Sequence, residues 1–388
     1  MCIIIYIMWQ RDLANRLDKA LKNFSAIVLT GPRRAGKTFL LKSLRPKAQY
    51  VLLEDPDIIT RAKSDPRAFL ESLRFPVILD EIQNCPELLP YIRTIIDSKN
   101  KKGQWLITGS QEFSIMKGVT ESMTGRAAIF QLLPLSYHET KQTSPLIGGF
   151  PEILKRKALK NDWFRSYLQT YIERDIREII NVKDMSSYRL FIQLLAQRNG
   201  QVLNKSDLAA PVGVKVPTIA HWLSALEITN QIYFVRPYFN NYEKRLIKSP
   251  KIYFLDSGLL CHILNIQTEA DLVRHPYAGF VFEAYVLSEL LKSQINKGAA
   301  KEVYYFRDES GLEIDFMVPR KNNHLELIEV KYTKTPLPAM VQNLISLNKK
   351  IKDKTTILSL IHNANSVDNE ILTQNVTAYN HKTYFSID

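Results

Sequence analysis

At 388 residues the chain is too long for one ordinary hydrophobic core, and two or three domains are expected. A hydrophobic content of 45% with 23% charged residues excludes a disordered or fibrous chain and describes a globular, soluble protein. Three separated cysteines, Cys2, Cys85 and Cys261, exclude a disulfide framework and a CxxC-type zinc site, which points to a reducing, cytoplasmic setting. The net charge of +13 permits nucleic-acid binding but is spread evenly: 21 Lys+Arg against 14 Asp+Glu in residues 1–144 give +7, and 31 against 25 in the remainder give +6.

The chain starts "MCIIIYIMW", apolar for only nine residues and without a basic flank or cleavage site, so it reads as a packed N-terminal strand or arm. Residues 25–38, "SAIVLTGPRRAGKT", are an apolar strand, a turn and the start of a helix. They contain GxxxxGK[ST]. Gly31, Pro32, Arg33, Arg34, Ala35 and Gly36 would form a loop whose N–H groups face a phosphate at the positive end of the following helix. Lys37 would reach the β- and γ-phosphates of ATP, and Thr38 would ligate Mg²⁺.

A further strand and helix, "YVLLED" and 56–73, come next, and then "FPVILDEIQ". Its apolar run ends in Asp80, suited to hold Mg²⁺, and Glu81, placed to polarise an attacking water. A helix (86–98) and the strand "QWLITGS" (104–110) follow, so that strands and helices alternate as in a parallel α/β sheet. An extra strand between the phosphate loop and the acid strand resembles the additional-strand, catalytic-glutamate branch of P-loop ATPases. In that branch a polar residue ending the next strand senses the γ-phosphate, which would be Ser110 or Gln111; the alternative for Ser110 is a helix N-cap. Arg126, ahead of another strand, is a candidate arginine finger acting in cis or from a neighbouring subunit, or else a surface arginine. "GGFPE" (148–152) is a tight turn that closes the domain or contacts the nucleotide base.

From about 160 the pattern is helical. Residues 162–182 form an amphipathic helix on which Arg174 and Asp175 are either nucleotide contacts or a surface ion pair. Residues 188–241 read as three helices and an extended segment, the order of a winged helix-turn-helix. Thr218, His221 and Ser224 on the third helix offer no arginine for a bidentate grip on guanine, so a nucleotide-responsive lid or adaptor fits better than sequence-specific DNA reading.

The last third runs from "KSPKIYFLDSGLLCHIL" through a helix bearing Glu283 and the strand "EVYYFRDE" to two charged strands, "LEIDFMV" and "LELIEVKYT". Asp315 and Glu329 on neighbouring strands can converge on one Mg²⁺, with Glu283 as a further ligand. Lys331, two residues after Glu329 on the same strand face, would orient the group attacking a phosphodiester. Glu–Lys pairs also decorate exposed strand faces, the bland alternative. The order of acidic helix, strand, Asp strand and Glu-x-Lys strand resembles the PD-(D/E)XK restriction-endonuclease-like superfamily, except that Ile314 rather than proline precedes Asp315.

Taken together, "GPRRAGKT", "VILDEIQ", "ITGSQ", "LPLSYHE", "GGFPE", "YIERDI", "FEAYVLSEL", "LEIDFMV" and "IEVKYT" resemble prokaryotic AAA-type P-loop ATPases with a C-terminal domain of unknown function of that endonuclease-like type. The resemblance implies an ATPase domain over 1–155, a helical lid and winged helix over 156–245, and an α/β endonuclease-like domain over 246–388. It implies ATP and Mg²⁺ as cofactors. Function divides between an ATP-driven nuclease, acting on DNA rather than RNA, and a nucleotide-operated switch that binds a nucleic-acid or protein partner without cutting. A homo-oligomer is expected if Arg126 acts in trans, and no membrane association is expected.

Overall fold

A computed structural model describes residues 9–110, 123–172, 184–238, 249–351, 354–365 and 368–386. The N-terminal arm up to residue 8, Gln111, Arg174 and Asp175 lie outside the described residues. The chain divides into two units. The first is Met1–Leu135 with the short pieces Ile228–Asn230 and Ile295–Lys297, and the second is the remainder. The first unit runs to Leu135, and most of the middle and C-terminal segments share the second.

In the first unit, strands β1 (Ala26–Thr30), β2 (Gln49–Leu52), β3 (Val77–Asp80), β4 (Trp105–Gly109) and β5 (Ala127–Gln131) form a parallel sheet of order β2-β3-β4-β1-β5. The inner strands are apolar at nearly every position because both faces are covered. Ala26, Val28, Val77, Leu79, Trp105 and Ile107 join the cluster that includes Phe69, Leu70 and Ile92. Ile27, Leu29, Ile78 and Leu106 join the opposite one with Leu17, Leu21, Leu40 and Leu41. The strand that separates β1 from β3 is β4, later in sequence; the expected extra strand, β2, lies at the sheet edge. The expected helix 56–73 is two, Pro56–Ser64 and Pro66–Glu71, because Asp65 leaves helical geometry ahead of Pro66 and caps the Ala68 N–H.

The second unit contains the helices Met185–Gln197, Lys205–Val212 and Val216–Ile228. Asp184 caps the first and Asn204 the second, and Gly213 at φ 75° ends the second in the left-handed conformation that glycine adopts freely. Strands β6 (Ile232–Pro237), β7 (Lys251–Phe254), β8 (Tyr304–Arg307), β9 (Glu313–Pro319), β10 (His324–Lys331), β11 (Thr355–His362), β12 (Glu370–Thr373) and β13 (Val376–Asn380) form a mixed sheet of order β12-β13-β11-β10-β9-β8-β6-β7. The extended segment expected to end the middle region is thus β6, which pairs antiparallel with β7 and parallel with β8, and so belongs to the C-terminal sheet. Leu325 and Leu327 of central β10 pack with Leu344 and Leu347 of the helix Gln342–Lys350. Among the described residues no helix is long and apolar enough to cross a membrane.

Candidate functional sites

The phosphate loop joins β1 to the helix Lys37–Leu44. A Cβ on Gly31 would lie 2.1 Å from the Leu132 carbonyl oxygen, so only glycine fits there. Gly36, at φ 96°, needs glycine for its backbone, and a Cβ there would meet nothing within 4 Å. Lys37 is buried, and its ammonium donates to the carbonyls of Gly31 (2.8 Å) and Pro32 (3.0 Å), folding over the loop. The Thr38 hydroxyl lies 2.9–3.0 Å from both Asp80 carboxylate oxygens. Tyr50 adds a hydroxyl to Asp80 at 2.7 Å, and Thr108 a second, shorter bond.

Glu81 follows in left-handed backbone, φ 61° and ψ 53°, at the start of the short 3-10 helix Ile82–Asn84; its N–H donates to Thr108 Oγ1 at 3.2 Å. Its carboxylate accepts from Gln83, whose amide also reaches Ser110 Oγ at 3.1 Å. Burial works to raise the Glu81 carboxyl, but the Lys37 and Arg33 charges and the bonds from Gln83 and Ser110 outweigh it and hold it below its ordinary value. Arg33 pairs with Glu54 at 2.9 Å, while Arg34 is exposed at φ 64°. Buried Ser110 therefore stands at the Glu81 site.

Several residues here carried no motif signal. The buried Arg11 guanidinium bonds the Ala35 carbonyl in the loop (3.1 Å) and Leu133 (2.6 Å), clamping the cradle from before the first helix. Tyr50 and Thr108 likewise act through contacts that the sheet order creates, and Gln83 links Glu81 to Ser110 at the end of β4.

Arg126 is elsewhere. In the β1–β5 register Ala26 faces Ala127 and Thr30 faces Gln131, so Arg126 precedes the strands and the phosphate loop follows them. A strand length, about 16 Å, separates them, which excludes action in the same chain's site. Its guanidinium is bound to Asp97 (Nη2 at 2.9 Å) and to the Thr124 carbonyl (3.0 Å), beside a recess of about 310 Å³ that Lys102 also lines. The "GGFPE" turn lies in the second unit. Gly149 donates to the buried Asp256 carboxylate at 2.8 Å, and a Cβ on Gly148 would collide with that carboxylate, so the turn is a lock within the second unit.

In the second unit, the β9–β10 ladder runs from Leu325–Pro319 to Ile328–Phe316, one residue short of Glu329 and Asp315. There Asp315 Oδ2 accepts the Val330 N–H at 2.8 Å. Lys331 Nζ lies 2.5 Å from Glu329 Oε1, while Glu329 Oε2 is buried with no hydrogen-bond partner. Glu283, on the helix Ala278–Lys297, accepts from Tyr253 and lies 3.7 Å from Lys251 Nζ. Lys251, from β7, is itself buried and lies 2.6 Å from Glu313 Oε1.

Burial and the Asp315 charge push the Glu329 carboxyl up to about 8, against the pull of Lys331. Burial raises Glu283 to about 7, with Lys251 opposing. Both lysines stay charged, because neighbouring carboxylates outweigh the burial that would lower them. The structure thus brings Glu283, Asp315, Glu329 and Lys331 into one charged cluster. It does not converge the three carboxylates on a point: among the described residues no three His, Cys, Asp or Glu side chains stand as a metal-holding group. Lysines and a peptide N–H intervene. Lys251 and Glu313 were missed in the sequence because β7 lies far upstream and joins the sheet only through β6 and β8.

Known families match three successive parts of the chain: an AAA domain over 23–141, the domain of unknown function DUF8612 over 142–270, and the domain of unknown function DUF4143 over 278–380. The uncharacterized protein Rv2008c of Mycobacterium tuberculosis is 30% identical over 335 residues, covering 84% of this chain and 75% of its own. The uncharacterized protein MJ1544 of Methanocaldococcus jannaschii is 24% identical over 345 residues, 79% of this chain and 74% of that protein. Among solved structures, the Walker-type ATPase PABY2304 of Pyrococcus abyssi aligns with a TM-score of 0.45 at 15% identity, covering 66% of this chain and 96% of that one. The chain belongs to the family of the mycobacterial protein, with an AAA-type P-loop ATPase domain followed by DUF8612 and DUF4143.

Proposed function

We propose that this protein is a Mg²⁺-dependent ATPase whose turnover controls a restriction-endonuclease-like site, acting on nucleic acid and on DNA rather than RNA. The ATPase half rests on Thr38, Asp80 and Glu81 at the mouth of the glycine cradle. Lys37 would exchange its two carbonyl partners for phosphate oxygens, Glu81 would accept a proton from the attacking water, and Ser110 and Gln83 would hold that carboxylate in place. Mg²⁺, when bound by Thr38 and Asp80, supplies charge against the phosphates. Arg126 acts from a neighbouring subunit, its recess beside Asp97 being the docking face.

The observation that carries the nuclease half is the Glu329–Lys331 pair beside Asp315 where the strand ladder ends, with an unpartnered, buried Glu329 oxygen to accept a divalent ion. Such an ion supplies charge against a phosphodiester, and Lys331 would orient the attacking group. The three middle helices with the β6–β7 hairpin and the Val202–Lys251 bridge follow winged-helix order. His221, Ser224 and Glu227 are exposed on the third helix, and a carboxylate there disfavours phosphate, which supports an adaptor over a DNA reader. One observation favours the second reading, a switch that binds a partner without cutting: the cluster's carboxylates engage lysines and a peptide N–H.

The deciding assay incubates plasmid and single-stranded DNA with Mg²⁺ or Mn²⁺, with and without ATP, using the parent, Asp315→Ala and Lys331→Ala. Cutting that is lost in both variants is expected. No cutting by the parent on any substrate, with ATP turnover intact, would establish the switch.

A further inference from the structure

We propose that Lys251 is a built-in cation of the C-terminal cluster, its ammonium lying between Glu283 and Glu313 and opposing entry of a divalent ion. The inference rests on the reading of this cluster as a cation site. Lys251 is only 4% exposed, and its partners come from two different elements: Glu313 of β9 at 2.6 Å and Glu283 of the helix Ala278–Lys297 at 3.7 Å. Tyr253, two residues on along β7, donates to the same Glu283, so β7 presents both a positive charge and a hydroxyl to one carboxylate.

The cluster still carries more acids than bases. Glu283, Glu313, Asp315 and Glu329 stand against Lys251, Lys331 and Arg307, whose Nε lies 3.6 Å from Glu313 Oε2, and Glu329 Oε2 is buried without a partner. A surface salt bridge with these distances would carry no such meaning. Buried, the same ammonium cancels charge that would otherwise be left uncompensated, and a second cation entering beside it meets direct repulsion. This explains why the carboxylates are gathered yet form no metal-holding trio. A movement of β7 that withdrew Lys251 would convert the cluster into an open ion site.

The test is Mn²⁺ titration by calorimetry without nucleotide, on the full chain. Lys251→Met, which keeps the side-chain volume and removes the charge, is expected to bind one Mn²⁺ about tenfold tighter or more than the parent. Adding Asp315→Asn should remove that gain, and Lys251→Arg should behave as the parent. Cooperative thermal unfolding of each variant checks its fold. Should Lys251→Met not fold, Glu313→Gln serves instead: it releases the ammonium toward Glu283 and is expected to weaken Mn²⁺ binding about tenfold. Equal Asp315-dependent binding by the parent and the variant would overturn the role of Lys251 while leaving the cation site standing. No Asp315-dependent binding in any variant would overturn the cation-site reading, and this inference with it.

Discussion

At the phosphate loop, Asp80 is held by three hydroxyls, those of Thr38, Tyr50 and Thr108. In the C-terminal cluster, Glu329 and Glu313 are held by lysines. Hydroxyls orient a carboxylate without cancelling its charge, whereas an ammonium at ion-pair distance does both. The first site therefore keeps a standing negative charge beside Thr38, suited to immediate use. The second has its charge partly offset by its lysines.

Breaking the first site should have the largest effect. Lys37→Ala is expected to abolish detectable ATP binding and turnover with an unchanged circular dichroism spectrum; retained turnover would remove the phosphate-loop assignment. For Glu81→Gln the expectation is intact ATP binding with turnover lowered about 10³-fold, read from steady-state phosphate release.

Arg126→Ala should cost a similar factor, about 10³-fold, and the two defects should complement. If the intact residues of each meet across a subunit boundary, mixing Arg126→Ala with Glu81→Gln restores part of the turnover. Failure to complement would mean that Arg126 is a surface residue paired with Asp97.

The comparison sharpens on a pH axis, with smaller effects. Glu81, held below its ordinary value of 4.5, contributes stability that is present above that value and lost as the pH falls below it. Glu329, pushed up from 4.5 to about 8, contributes the opposite: stability present below pH 4.5 and lost as the pH rises through about 8. Relative to Glu329→Gln, the parent's melting temperature should fall by about 3 °C or more between pH 5 and pH 8.5. A constant difference across that range would show that Glu329 is not titrating in the folded chain.

Much of the first site was legible because its chemistry is contiguous. The glycines, Lys37 and Thr38 sit in eight residues, and Asp80 and Glu81 end one apolar strand, so spacing alone specifies them. Arg11, Tyr50 and Gln83 were not legible, since each reaches at least one partner distant in sequence and belongs to no motif of fixed spacing. Arg126 shows a different limit: spacing placed it ahead of a strand, as the structure does, but spacing does not reveal which end of a parallel strand faces the loop. In the C-terminal sheet the alternation gave the strands and the residue types correctly, but the counter-charge came from β7. The helix break at Asp65–Pro66 was legible in principle, since proline disfavours helix in the residue before it.

The pairing of β6 with β8 bears on how this lineage was assembled. The parallel pairing of Arg236 and Pro237 with Tyr304 and Tyr305 crosses the seam at which the two families of unknown function meet, and Lys251 and Tyr253 lie on one side of that seam with Glu283 and Glu313 on the other. Neither region alone encloses the cluster, and either one alone would present an unpaired strand edge, a template for association. The two regions share one sheet, and the cluster exists only where both are present.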